Sequence, residues 1–73
     1  MSEIDFMAYC IEEYKAAKHL NGRDVMDLFG KYDVLRYIDD HYGALHTTGS
    51  AYIVEDINRF IDARRESGSI TAS

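Results

Sequence analysis

Apolar residues recur at helical spacing through almost the whole chain, no proline interrupts them, and no segment alternates apolar and polar as a strand would. That pattern restricts the chain to an all-α fold. It predicts a compact four-helix bundle, with helices over about 3–19, 22–31, 34–44 and 50–65. Residues 1–66 form one domain on this reading, and 67–73, with little apolar content, a flexible C-terminal tail.

Each predicted helix carries its own start signal and face. Ser2 can cap the first helix, with Glu3 and Asp5 in its first turn, where negative charge suits the helix dipole. Ile4, Met7, Ile11, Tyr14 and Lys18 follow helical spacing there, and Phe6, Cys10 and Ala17 widen the stripe. Asn21 and Gly22 end it. Asn21 also caps the second helix, with Asp24 three residues on, and Val25, Leu28 and Phe29 are its core side. Asp27 and Lys31 form an (i, i+4) pair in the favoured order. Asp33 is the expected cap of the third, whose face is Val34, Tyr37, Ile38, His41, Tyr42 and Leu45. Ser50 or Thr48 caps the fourth, with Ile53, Ile57, Phe60, Ile61 and Arg64 on its apolar face and Val54 flanking it.

A chain of 73 residues buries a small core, and nothing staples this one. Cys10 is the single cysteine, so no internal disulfide forms, and it reads as an inert buried thiol. Stability must come from the helix faces, with self-association into a homo-oligomer as a simple way to bury more.

The formal net charge is −5, which disfavours wrapping nucleic acid and suits a basic protein partner or plain solubility. No apolar run reaches the roughly 20 residues that span a bilayer. The acidic start Met1-Ser2-Glu3-Ile4-Asp5 lacks the basic opening of a signal peptide, and a cytoplasmic protein is the reading.

Between the last two helices lies Leu45-His46-Thr47-Thr48-Gly49-Ser50, more specific in composition than a linker requires. His46 beside Thr47 and Thr48 offers a base and hydroxyls, with Asp40 or Asp56 to orient the ring, which is the layout of a small hydrolase-like enzyme. The structural alternative has these groups closing the adjoining helix ends, with Gly49 taking positive φ, and it is the preferred one. His41 and His46 stand five apart, off the (i, i+4) spacing of a helical zinc site, so neither a metal nor a cofactor is expected. The second and third helices also resemble a helix-turn-helix DNA-binding regulator, but Asp39 and Asp40 against one Arg36 oppose entry into a groove. Six tyrosines exceed what so small a core can hide. Tyr9, Tyr32 and Tyr52, off the main stripes, are the expected exposed contacts, joined by the loop residues His46, Thr47, Thr48 and Gly49.

Several ordered segments carry a resemblance. They are Phe6-x3-Cys10-Ile11-Glu12-x-Tyr14-Lys15, Leu28-Phe29-x-Lys31-Tyr32-x-Val34-x2-Tyr37-Ile38, Tyr42-x2-Leu45-His46-Thr47-x-Gly49 and Ile53-Val54-x-Asp56-Ile57. Together they resemble short bacterial proteins grouped as domain-of-unknown-function family 3791, from Phe6 to about Ile61, with Leu-His-Thr-x-Gly the most specific piece. The resemblance implies no activity and transfers no site residue. It implies a setting beside genes for ADP-ribosyltransferase-like toxins, and hence an antitoxin-like or accessory subunit. The resulting expectation is a non-enzymatic protein-interaction module that docks a protein partner through an acidic, tyrosine-bearing surface.

Overall fold

The first helix begins where Ser2 leaves extended backbone and its hydroxyl accepts the N–H of Asp5 at 3.1 Å. The computed structural model describes the backbone of residues 2–72 and the side chains through Glu66. Its elements are α1 (Glu3–Lys18), α2 (Gly22–Tyr32), α3 (Val34–Asp40), α4 (Tyr42–Leu45) and α5 (Ser50–Ala72). No strand occurs among the described residues, so the all-α bundle holds. The flexible tail expected over 67–73 falls outside the fully described residues. Among the described residues, no helix is long and apolar enough to cross a membrane.

The core is built from rows spaced by four. Phe6, Cys10 and Tyr14 come from α1, Val25 and Phe29 from α2, Val34 and Ile38 from α3, and Ile53, Ile57 and Ile61 from α5, with Leu45 closing one end. Such rows form the ridges along which helices interlock, and every helix of seven residues or more presents one. Fully burying one such isoleucine or phenylalanine is worth about 1.5–3 kcal/mol.

The α1 face differs from the expected one. Ile4 is 78% exposed and Ala17 is exposed, while Met7 and Ile11 lie only at the core margin. The stripe is centred on Phe6, Cys10 and Tyr14, the buried residues of α1, and its two rings meet rings on other helices. Phe6 makes an edge contact with Tyr42 at 5.4 Å, and Tyr14 with Phe29 at 5.2 Å.

Three junctions set the path. Asn21 caps α2 as expected, its side-chain oxygen accepting from the Asp24 N–H at 2.8 Å. Asp33 does not cap α3 with its side chain. It sits at φ 61°, ψ 38°, left-handed, and its N–H closes α2 on the Gly30 and Phe29 carbonyls. One left-handed residue thus supplies the whole α2–α3 turn. The predicted 34–44 helix is broken at His41, which leaves helical geometry at φ −112°, ψ 18°. There the Tyr37 carbonyl takes both the His41 N–H (3.1 Å) and its Nδ1 (2.9 Å). Beyond it α4 restarts as a single turn. Lys31, expected to pair with Asp27, instead places its ammonium 5.4 Å from the Tyr32 ring centre.

Tyrosine hydroxyls tie α5 to each of the three larger helices. Tyr14 on α1 donates to Asn58 Oδ1 at 2.8 Å, and Tyr37 on α3 to Asp56 Oδ2 at 2.6 Å. Tyr32 at the end of α2 accepts from Arg65 Nε at 3.3 Å. This accounts for half of the tyrosines: their rings half-fill the core while their polar tips bond across helix seams.

Candidate interaction face beside the 46–49 loop

The chain repeats one local device. His41 follows Tyr37 by four residues, and His46 follows Tyr42 by four, so each ring lies over the tyrosine one turn back. The centroids are 4.4 Å apart in the first pair and 4.5 Å in the second, where the planes are nearly parallel at 6°. In each pair the histidine Nδ1 also meets the carbonyl of the same tyrosine, at 2.9 Å and 2.7 Å. A carbonyl only accepts, so Nδ1 carries the hydrogen in these contacts, and Nε2 is the nitrogen left pointing away.

The loop hydroxyls are spent in the same manner. Thr47 Oγ1 donates to the Ala44 carbonyl at 2.9 Å and Thr48 Oγ1 to the Leu45 carbonyl at 2.7 Å. These are the carbonyls that a helix end leaves without a partner. Thr48 therefore does not cap α5. Its hydroxyl faces backwards, and Gly49 supplies the first carbonyl of α5, which accepts from Ile53 N–H at 3.1 Å. Gly49 does not take the expected positive φ; the left-handed residues are His19 and Asp33.

His46 does not meet the partners that a triad would need. Both threonine hydroxyls donate to backbone carbonyls and not to the imidazole. Asp56 accepts from Tyr37 and lies 3.5 Å from Arg59 Nη2, and Asp40 is 4.0 Å from Arg36 Nε. Among the described residues no group of three histidine, cysteine or acidic side chains is placed to hold a metal ion.

Between this loop and α5 lies a hollow of about 200 Å³, lined by Tyr37, His41, Leu45, Thr48, Tyr52 and Asp56 among others. Tyr37 is clamped between His41 and the Phe60 ring, stacked at 4.1 Å. Burial first, then the hydrogen bond to Asp56, pushes its phenol up to about 12. Tyr52 is half exposed, with the Arg59 guanidinium 5.8 Å over its ring.

The other predicted contacts sit elsewhere. Tyr9 and Tyr32 are partly buried against the core margin, Tyr9 alongside Phe6 and Tyr32 beneath Arg65. The sequence reading misses Asn58. Its one visible signal is a carboxamide one turn beyond Val54, on the flank of an otherwise apolar row. It also misses the tandem Tyr-x3-His spacing, which is plain in the sequence once the two rings are seen to stack.

The fold and this face define a small helical globule whose polar loop is consumed in closing its own helix ends. The model of the family described as "Protein of unknown function (DUF3791)" matches residues 5–64, and the chain belongs to that family. No curated protein and no solved structure matches it.

Proposed function

We propose that the chain is a non-enzymatic protein-interaction module, an antitoxin-like or accessory subunit that covers a toxin-like enzyme. The carrying observation is Tyr52, half exposed on a hollow that Asp56 also lines. A space of about 200 Å³ lies below the roughly 300–1,000 Å³ of small-molecule sites, but it admits one side chain of a partner. Arg59 lies against Asp56 and over the Tyr52 ring, so a partner's lysine or arginine enters by taking Arg59's place there. The net charge of −5 draws a basic partner in and speeds encounter at low salt. The rigid loop next to it, its hydroxyls already bonded, offers shape and not reactivity.

The test is affinity purification of the chain from its native host, with salt dependence of the complex measured afterwards. A stoichiometric partner that Tyr52→Ala weakens about tenfold or more, a hot-spot-sized loss, is expected. If the partner is held equally well by a variant with Tyr52, Tyr32 and His46 all changed to alanine, the surface is wrong. If the chain elutes alone, the reading itself fails.

A further inference from the structure

On the other flank of α5, where it meets the end of α1, a second and larger hollow of about 410 Å³ opens, sharing no lining residue with the one beside Tyr52. We infer that it binds an organic oxyanion, a phosphate or carboxylate carried on a small apolar body.

The donors come from two helices. Asn58 is oriented by Tyr14, whose hydroxyl donates to Oδ1 at 2.8 Å. The carboxamide NH₂ therefore points the other way, and the described contacts leave it uncommitted. Lys18 makes no ion pair among the described contacts; its ammonium stands 6.0 Å from the Tyr14 ring centre. Arg65 reaches Tyr32 through Nε at 3.3 Å, and its Nη1 stands 4.0 Å from Asp62, a loose and mostly exposed pair. Leu20 and Ile61 form an apolar floor, which is why the ligand is an organic anion and not a bare one.

Arg65 acts outside the hollow as well, on Tyr32, while within it burial chiefly holds the Tyr14 phenol above its ordinary value. The Tyr32 phenol is held below its ordinary value, chiefly by the hydrogen bond from Arg65, with Lys31 adding to it. Lys18 and Arg65 at the hollow, with Lys31 over the neighbouring Tyr32, place three cations at one corner of a chain whose net charge is −5. Lys18 and Lys31 lie in the last turns of α1 and α2, where cations complement the helix dipole. That explanation does not reach Asn58 and Arg65, which come from the body of α5. Asp62 is the opposing charge, and it makes the inference sharp: an anion must displace it from Arg65.

The test is an NMR titration of the full chain, following the Asn58 carboxamide and the Arg65 Nε–H, at constant ionic strength. The probes are phenyl phosphate, inorganic phosphate and benzoate. Saturable shifts at both groups are expected, several-fold tighter for phenyl phosphate than for inorganic phosphate; the stronger of phenyl phosphate and benzoate identifies the head group. Lys18→Gln and Arg65→Gln should each weaken binding about tenfold, the loss of one charge-assisted contact. Asp62→Asn, a surface change that spares the fold, should tighten it. Shifts no larger than those at Arg23 and Arg36, no gain from the phenyl group, or an unchanged affinity in Asp62→Asn would each overturn the inference. None of these results bears on the Tyr52 face, so the two proposals stand or fall separately.

Discussion

Replacing Tyr37 by phenylalanine should destabilise the fold near neutral pH and cease to do so near pH 11. The hydroxyl donates to Asp56 at 2.6 Å across the α3–α5 seam, and the ring itself stays clamped between His41 and Phe60. A hydrogen bond to a charged acceptor contributes roughly 1.5–3 kcal/mol. Arg59 still lies 3.5 Å from Asp56 after the change, so the carboxylate is not abandoned and the low end, about 1.5 kcal/mol, applies. Alkaline pH erodes that advantage. The phenol is pushed up to about 12 in the fold against an ordinary 10.0 in the unfolded chain. A group with a raised folded pKa gives its full stability below the unfolded value and loses it as pH rises towards the folded one. At pH 11 the unfolded phenol is about nine-tenths ionised and the folded one about one-tenth, which removes roughly 1.4 kcal/mol. The phenylalanine variant has no phenol to lose, so the two stability curves should meet there. Urea unfolding followed by circular dichroism at pH 7, 9 and 11 measures the gap. A gap that stays constant across that range refutes the argument, because the phenol would then titrate alike in both states.

Three further outcomes follow from single features. Burial first, then the nearby Glu13, pushes the Cys10 thiol up to about 11 against an ordinary 9.0. Two pH units leave about a hundredfold less thiolate near pH 8, so a thiol reagent should label the native chain at least that much more slowly than the urea-unfolded one; equal rates would refute it. His19 holds φ 56°, ψ 41° at the end of α1, and His19→Gly should raise stability by up to about 1 kcal/mol in thermal unfolding, while His19→Val lowers it. Asp39, by hydrogen bonding and then by like charge, raises the Glu3 carboxyl above its ordinary 4.5. That stability is complete below 4.5 and falls as pH rises through the raised range. Asp39→Asn should therefore raise the melting temperature at pH 7 and give no gain in acid, and a gain of the same size at both pH values would argue against the pairing.

The fold was legible wherever a local rule acts alone. Ser2 and Asn21 cap their helices through their own side chains, and the rows Val25–Phe29, Val34–Ile38 and Ile53–Ile57–Ile61 announce themselves by spacing. Two stripes of α1 obey the same period, and choosing between them needed knowledge of which rings lie opposite. Ile4 is as apolar as Ile57, yet no other helix covers it. The break at His41 was hidden for a related reason. Every residue of the 34–44 stretch tolerates a helix, and nothing in its spacing marks His41 as the point where the backbone leaves helical geometry. Asp33 misled in the opposite direction: aspartate signals a cap, but it is also among the few side chains that accept left-handed backbone, and here the second property is used.

The loop shows why composition alone overstates chemistry. His46, Thr47 and Thr48 form a reactive-looking trio only while their neighbours are unknown. Once α4 is seen to end at Leu45, the carbonyls of Tyr42, Ala44 and Leu45 lie at that end, and the three side chains donate to them from three or four residues on. Leu-His-Thr-x-Gly then encodes the sharp closure of a one-turn helix and the direct start of α5. The tyrosines run the other way. Tyr14 and Tyr37 read as parts of apolar faces and Tyr32 as spare surface, but bonds between residues 44, 19 and 33 positions apart turn Tyr14, Tyr37 and Tyr32 into the fastenings of α5. No local pattern predicts such pairings, because both partners are ordinary on their own helices. With those three committed inward, Tyr52 is the tyrosine that stays half exposed, and that leaves the hollow beside it as the face on which a partner has most to gain.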